Sequence, residues 1–308
     1  NKMGQGNQSV VSEFVLLGLS HSWKMQVLLL LIFLVLYLII VLGNIAIVIL
    51  IITDLHLHSP MYFLLANLSF VDMLLSSITM PKMITDFLRE IKTISFGGCM
   101  WQILFVHFIG GGELWAYDRY VAICKPLHYS TTMSLQKCIG LVVTSWTLGF
   151  VHAISQMAVI VQLPFCGPRV DSFFCDIPLV IKLACTDSYN LRALMNADTR
   201  VLTMTSFILL LISYTYIFLT VRKSSKTGAS KALSTCTAHI TVVVLFFVPC
   251  IFNYVWPLSI TWVEKFLAVF YAVLTPLLNP SIYTFRNKEI KNAMKRFRSY
   301  NINFKGNM

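Results

Sequence analysis

Two acidic side chains stand where an acid is costly, and they are the first sign of chemistry in this chain. Asp72 and Glu113 each lie in the middle of a long apolar segment. A charge in such a segment costs several kcal/mol unless it faces a polar cavity or a partner. The two carboxylates are therefore expected to face a polar cavity or polar partners, of which a hydrogen-bonded cluster without an ion is one form.

A second reactive arrangement is the run Asp118, Arg119 and Tyr120 at the inner end of the third apolar segment. A long cation at this depth can pair with the neighbouring acid or reach into a docking partner, and a ligand that favours one state shifts the balance. The alternative is an arginine whose stem lies along the lipid boundary while its charge stays in water.

Seven long apolar segments must position these residues. The 308-residue chain is 57% hydrophobic and 12% charged, which is far too apolar for a soluble domain of this length. A bilayer core of about 30 Å requires about 20 apolar residues per helix. The sequence predicts an all-α membrane protein, a single seven-transmembrane helix bundle over residues 1–308. The predicted spans are residues 27–52, 61–83, 99–124, 139–162, 193–221, 234–256 and 263–285.

The charges between these segments orient the bundle. The net charge is +11, and the bases concentrate on one side with few acids, whereas the other side mixes both signs. The positive-inside rule makes the basic side cytoplasmic and the N-terminus external. Anionic lipid and a protein partner fit that face. Nucleic acid is not an expected partner because no soluble basic module is present.

Residues 288–298 predict a short amphipathic helix after the last span. Ile290, Ala293, Met294 and Phe297 fall on one face and the bases on the other. Such a helix lies along the inner leaflet.

Four cysteines fall on the predicted outer side: Cys99, Cys166, Cys175 and Cys185. An even set in an oxidising compartment predicts two disulfides, and the spacing leaves three pairings open. Asn7, followed by Gln8 and Ser9, matches a glycosylation acceptor in the outward N-terminal segment.

Other classes of membrane protein fit less well. A transporter is expected to show internal repeats, and a channel needs a repeated pore element, but neither pattern is found here. An enzyme needs clustered ligands or a nucleophile beside its base. His107, His152 and His239 lie on separate segments without metal-ligand spacing, so no enzyme is expected.

Six ordered motifs resemble those of the olfactory receptors, within the rhodopsin-like G-protein-coupled class. They are Gly43 with Asn44, Ser213 with Tyr214, and the segments 57–73, 116–129, 231–239 and 276–287. The resemblance covers nearly the whole chain. It implies a plasma-membrane receptor that binds a small volatile odorant from the outer side. It also implies activation of a stimulatory G protein of the olfactory type, which raises cyclic AMP.

The resemblance assigns further roles. It implies a sodium site at Asp72 and Glu113 with Asn44 and Asn279 beside it, and no other cofactor. It gives the switching role to Asp118, Arg119 and Tyr120 together with Tyr214 and Tyr283. It pairs Cys99 with Cys175 and Cys166 with Cys185, which would brace the loop of residues 164–191 as a lid.

The ligand pocket follows from alignment to the same motifs. The residues expected to face it are His107, Gly110, Gly111, Asp198, Thr199, Phe247, Cys250, Ile251 and Tyr254. Aromatic and aliphatic walls with one or two polar groups suit a small volatile of modest polarity. Asp198 either receives a basic ligand or lies with Arg200 in the headgroup zone.

One departure from the family pattern concerns the third span. Only Leu114 and Trp115 separate Glu113 from Ala116. At about 1.5 Å and 100° per residue, a shortfall of about five residues moves Arg119 about 7.5 Å and turns it about 140° relative to Glu113. The alternative reading is therefore a receptor-like chain of the same family with impaired coupling or trafficking.

Overall fold

The structure is a computed structural model that describes residues 11–20, 22–114, 134–185, 261–286 and 288–306, with single positions and runs of two or three residues between residues 197 and 252. Four long helices dominate the first half: α1 (Trp23–Thr53), α2 (Pro60–Asp86), α3 (Phe96–Leu114) and α4 (Leu135–Ile160). Pro60 opens α2, where its missing N–H costs nothing. Ser134 caps α4 by accepting a hydrogen bond from the Lys137 backbone N–H.

Three of these helices are long and apolar enough to cross a membrane, namely Trp23–Thr53, Tyr62–Asp86 and Leu135–Ile160. The predicted spans 27–52, 61–83 and 139–162 correspond to them. In the described part of α3 the apolar stretch is Phe96–Gly110. The predicted span 99–124 begins within α3, and its part after Leu114 lies outside the described residues.

The predicted last span is a continuous helical run with a change of winding. It consists of α6 (Thr261–Val269), a π-helical segment (Phe270–Leu274) and α7 (Thr275–Arg286), which corresponds to the predicted span 263–285. A π-helical segment marks a local departure from regular winding and is frequent at functional sites. The final helix, α8 (Lys288–Gly306), continues well beyond the predicted end at residue 298.

A small sheet corrects the prediction of a purely helical chain. Strand β1 (Glu13–Leu16) lies between β2 (Thr93–Ser95) and β3 (Arg169–Val170), antiparallel to β2 and parallel to β3. Phe14 and Leu16 alternate with exposed or half-buried residues and are fully buried. The side chains of Phe14 and Leu16 are therefore part of the core.

The packing gives the described part of the bundle two distinct ends. At the sheet end, Phe14 and Leu16 pack with the Cys99–Cys175 disulfide and the short helix α5 (Ile177–Ile181). At the α8 end, α1 and α2 are joined by a short 3₁₀ helix (Leu55–Leu57), and α8 packs across this connection. A third cluster packs α1, α2 and α6 against Phe173 and Phe174 from the loop after β3, also at the sheet end.

Candidate functional site

A carboxylate buried between three helices forms the centre of the candidate site. Asp72 on α2 is fully buried, and the Nδ2 atom of Asn279 on α7 donates a hydrogen bond of 2.8 Å to its Oδ2 atom. Asn44 on α1 is also fully buried. Three of the four residues expected at the sodium site thus lie in the buried interior. The side chain of the fourth, Glu113, lies outside the described residues.

Asn44 holds α1 to α7 through a backbone carbonyl that α7 itself leaves free. Pro280 has no N–H, so the carbonyl of Pro276 lacks its helical donor. The Nδ2 atom of Asn44 donates to that carbonyl at 3.3 Å and to the Ile40 carbonyl at 2.9 Å. Gly43 lies directly against the Pro280 ring, where a Cβ would meet its Cβ at 3.7 Å.

Several buried oxygens on α1 and α7 can each accept a further contact. Among the described residues, Asn44 Oδ1, Asn279 Oδ1 and Thr275 Oγ1 are buried side-chain oxygens without a hydrogen-bond partner. Each such group costs about 1–3 kcal/mol, and oxygen ligands are those that hard cations prefer. These oxygens can therefore act as ligands to a cation or accept hydrogen bonds from ordered water. Sequence reasoning missed Thr275, although it precedes Asn279 by one helical turn and shares its face.

A second buried polar contact joins α3 to the loop at the sheet end. The Nε2 atom of His107 lies 3.1 Å from Asp176 Oδ1, and both side chains are buried. Asp176 also caps α5 by accepting a 2.8 Å hydrogen bond from the Ile177 N–H. The ring of His152 on α4 lies 6.4 Å from the His107 ring. His107, expected in the ligand pocket, thus lies where α3, α4 and the loop approach one another.

Both disulfides expected from the resemblance are present in the structure. Cys99 is bonded to Cys175 and Cys166 to Cys185, with Cα atoms 5.5 and 4.9 Å apart. A further residue, Gln102, accepts a 2.8 Å hydrogen bond from the Cys175 N–H and donates to the Ile78 carbonyl at 3.2 Å. It joins α2, α3 and the loop. Its place one turn after Cys99 is the signal that sequence reasoning passed over.

The loop is also attached to the last span. Lys265 Nζ on α6 lies 2.5 Å from Asp171 Oδ1 in the segment that follows β3. Together with the disulfides and the His107 contact, this ion pair attaches the loop to both α3 and α6. The loop of residues 164–191 is braced as expected over its described part, which ends at Cys185.

The remaining expected site residues are placed only in part. Gly110 lies in α3 with no described atom within 4 Å of the position that a Cβ would occupy, Gly111 follows it, and Ile251 is half-buried. Tyr283 lies in α7, but its side chain is outside the described residues. The expected residues that lie outside them entirely are Asn7, Asp118, Arg119, Tyr120, Asp198, Thr199, Tyr214, Phe247, Cys250 and Tyr254.

Long apolar helices, a buried carboxylate between them and a disulfide-braced loop define a multi-pass helical membrane protein. The sequence profile of the olfactory receptor family matches residues 33–300. The chain belongs to the olfactory receptor family.

Three human relatives illustrate the similarity. The chain is 57% identical to olfactory receptor 4K3 over 97% of this chain and 96% of that protein. It is 56% identical to olfactory receptor 4F4 over 94% of this chain and 97% of that protein. It is 57% identical to olfactory receptor 4K14 over 98% of this chain and 100% of that protein.

The last match bears on the length of the chain. The alignment with olfactory receptor 4K14 has 309 positions, which is more than the 98% of this 308-residue chain that takes part in it. The relative therefore has residues that this chain lacks. That the shortfall lies between Glu113 and Ala116 stays a prediction.

Proposed function

We propose that this chain is an odorant receptor with seven membrane spans. It binds a small volatile ligand from the outer side and activates a stimulatory G protein of the olfactory type, which raises cyclic AMP. Family membership and three long apolar helices support this function. The observation that carries it is the buried cluster of Asn44, Asp72 and Asn279, which joins the first, second and last helices through polar contacts.

In the proposed orientation, the sheet end lies outside the cell and α8 lies inside. Disulfides form and persist in oxidising compartments, which supports an external position for Cys99, Cys166, Cys175 and Cys185. The N-terminus is then external, as is Asn7, the proposed glycosylation site. The basic α8 is then cytoplasmic, in agreement with the positive-inside rule.

The geometry supports a route from ligand to G protein through α7. A ligand beside His107 and Gly110 contacts α3 under the braced loop. The π-helical segment (Phe270–Leu274) and the Pro280 break make the last span easier to rewind than a regular helix. Rewinding α7 would move Asn279 relative to Asp72 and favour a second state of the bundle. In that state Arg119 leaves Asp118 and contacts the G protein, with Tyr214 and Tyr283 holding the arrangement.

Sodium is the proposed occupant of the buried cluster. Asp72 and Glu113 would supply the charge, while Asn44, Asn279 and Thr275 have oxygens that fit as ligands. A bound ion stabilises the state that binds it. The purified chain should therefore melt at a higher temperature in sodium chloride than in choline chloride at equal ionic strength, and Asp72→Asn should remove that difference. Equal melting in both salts would instead support a hydrogen-bonded cluster without an ion.

A cyclic AMP assay with surface labelling tests the function directly. The chain is compared, over a broad odorant panel, with a version carrying about five apolar residues after Leu114, the predicted shortfall of about one and a half turns. A response from the chain as it stands supports a competent receptor. Failure of both versions at normal surface density contradicts the proposed coupling.

A second candidate is a chain of the same family that does not signal. Its support is in the sequence, where only Leu114 and Trp115 separate Glu113 from Ala116. A third span that is too short pulls Arg119 out of register with Glu113. A response from the lengthened version alone would establish this candidate.

A further inference from the structure

A pair of hydroxyl groups joins α1 to α2 on the side surface of the bundle. The hydroxyl of Tyr37 on α1 donates a 3.2 Å hydrogen bond to Oγ of Ser77 on α2. Tyr37 is half-buried and Ser77 is exposed. Two hydroxyls carry two protons, and the hydrogen bond between them uses one. Within the part of the chain that the structure describes, the remaining proton, on Ser77, has no acceptor.

The neighbouring hydroxyls of α2 are satisfied within the helix. Ser76 Oγ donates to the Asp72 carbonyl at 2.9 Å, and Thr79 Oγ1 donates to the Leu75 carbonyl at 3.1 Å. Both side chains are fully buried. Donation to the carbonyl four residues earlier is the usual arrangement for serine and threonine inside a helix. Of these three described hydroxyls, that of Ser77 differs, because it faces outward with its proton available.

The backbone carbonyl of Ser77 lacks its helical donor as well. In an α-helix this carbonyl accepts from the N–H four residues later. That position is Pro81, which lies inside α2, and proline has no N–H. Pro81 is only half-buried, so packing does not cover this face of the turn completely. Ser77 therefore presents an available donor and an acceptor without its helical partner.

Both groups lie at a depth where water does not reach them. The span within α2 runs from Tyr62 to Asp86. At about 1.5 Å per residue, Ser77 lies about 13 Å from its Asp86 end and about 22 Å from its Tyr62 end. Tyr37 lies close to the middle of the span Trp23–Thr53. A polar group without a partner is costly in the hydrocarbon core, so a molecule that pairs with Ser77 removes that cost.

Apolar side chains border Ser77 on both helices. Leu34 and Leu38 fall on one flank of Tyr37, and Phe70 lies two turns before Ser77 on the same face of α2. Their exposed fractions are 40%, 49% and 43%. Phe70 is about 10 Å from Ser77 along the helix axis. The surface therefore offers apolar contact to an alkyl chain whose polar end is at Ser77.

We propose that Ser77 and Tyr37 form a binding site for an uncharged alkyl alcohol dissolved in the bilayer. The alcohol oxygen accepts from the Ser77 hydroxyl, its proton is donated to the Ser77 carbonyl, and the alkyl chain lies along Leu34, Leu38 and Phe70. One hydroxyl can do both, whereas a ketone, aldehyde or ester only accepts. A charged amine or carboxylate is excluded by the cost of desolvating it at this depth.

This site goes beyond the proposed function. It requires only that α1 and α2 cross a membrane, and it lies on the lipid-facing surface and not in the pocket expected at His107 and Gly110. The bound alcohol bridges the break that Pro81 leaves in the hydrogen bonding of α2. A ligand that binds only the folded state stabilises it, so the melting temperature of the chain should rise with the alcohol concentration.

The test uses the purified full chain in lipid nanodiscs and an octanol that carries a photoreactive diazirine on its alkyl chain. Irradiation attaches the probe to nearby residues, and mass spectrometry of the peptides locates the attachment. The matched probe is the corresponding photoreactive octane, which has no hydroxyl. We expect the alcohol probe to label residues 34–38 and 70–77 at least fivefold more strongly than the octane probe, since one hydrogen bond contributes about fivefold.

Two variants separate the two hydrogen bonds of the alcohol. Ser77→Ala removes the donor at an exposed position where little packing is lost, and Pro81→Ala supplies an N–H that occupies the Ser77 carbonyl. Each should reduce labelling at these residues about fivefold. The matched control is Thr147→Val on α4, which removes an exposed hydroxyl that already donates to the Val143 carbonyl at 2.8 Å. It should change labelling less than twofold.

Equal labelling by the alcohol and octane probes would overturn the alcohol site, since partition into the bilayer alone would then explain the contact. Full labelling of the Ser77→Ala chain would also overturn it. Native mass spectrometry covers a different occupant: if Ser77→Ala converts a dimer into a monomer and leaves labelling unchanged, the partner of Ser77 is a second copy of this chain. These measurements involve no G protein, so their outcome is separable from that of the cyclic AMP assay.

Discussion

The sheet end and the α8 end of this molecule are held together by different kinds of interaction. At the sheet end, two disulfides, three short strands and the fully buried rings of Phe14 and Phe174 fix the loop over the helices. At the α8 end, the described contacts include a small apolar cluster and the Asp54–Arg296 ion pair. Arg296 is 42% exposed, so solvent weakens that pair.

This difference shows which end of the bundle can change shape at low cost. Covalent bonds and buried aromatic rings resist rearrangement, whereas a partly exposed ion pair contributes about 0.2–1 kcal/mol. A receptor that recognises a ligand at a fixed surface and changes its shape at the opposite one needs this distribution. The four substitutions below test it, from the largest expected effect to the smallest.

Cys99→Ser should produce the largest effect. Loss of the Cys99–Cys175 bond frees a long segment and is expected to cost about 2–5 kcal/mol. Surface labelling of intact cells should fall to near background. The control is Cys138→Ala, which alters a buried cysteine that is not in a disulfide. Equal surface density for both variants would show that the disulfide is dispensable.

Phe14→Ala should have the second-largest effect. The Phe14 ring on β1 is fully buried and contacts Phe96 and Phe165. Its removal should therefore lower the free energy of unfolding by about 3 kcal/mol. The melting temperature of the purified chain measures this. Glu13→Ala, at the exposed neighbouring position, is the matched control and should leave it unchanged. A negligible loss for Phe14→Ala would mean that β1 does not contribute to stability.

Gln102→Leu should have an intermediate effect. Leucine has a similar volume but leaves the Cys175 N–H and the Ile78 carbonyl without the partners that Gln102 supplies. A buried unsatisfied group costs about 1–3 kcal/mol. Met100→Leu, a volume-conserving change on the same helix, is the control. If both variants have the same melting temperature, the Gln102 bridge between α2, α3 and the loop does not stabilise the fold.

Asp54→Asn should have the smallest effect on global stability, about 0.5 kcal/mol, because the ion pair is partly exposed. A double-mutant cycle with Arg296→Gln isolates the coupling between the two side chains. The cycle should give a coupling well below 2 kcal/mol that decreases as salt is added. A larger, salt-independent coupling would place the α8 end in the same rigid class as the sheet end.

The sequence predicted the long helices because their signal is local. The apolar runs that predict spans 27–52, 61–83 and 139–162 lie within α1, α2 and α4 or overlap them closely. The helices differ at their ends because hydrogen-bonded turns continue into polar residues, as at Asp86. The disulfide pairing came from the family resemblance, since spacing alone left three pairings open.

The contacts that sequence reasoning missed are distant in the chain. Strand β1 has four residues and pairs with segments near residues 93 and 169, so no local pattern predicts it. Asp54 and Arg296 are 242 positions apart, and either one alone resembles an ordinary surface charge. The Asn44 contact with Pro276 depends on Pro280, which leaves that carbonyl without a helical donor.

Hydrogen exchange of the full chain in lipid nanodiscs, read by mass spectrometry, tests the difference between the two ends most directly. We expect slow exchange at Val15 and Leu16, whose N–H groups donate to the carbonyls of Pro168 and Lys92, and faster exchange along α8. Asp54→Asn should accelerate exchange in α8 and leave exchange in β1 unchanged. Exchange of β1 as fast as that of α8 would show that the two ends do not differ in rigidity.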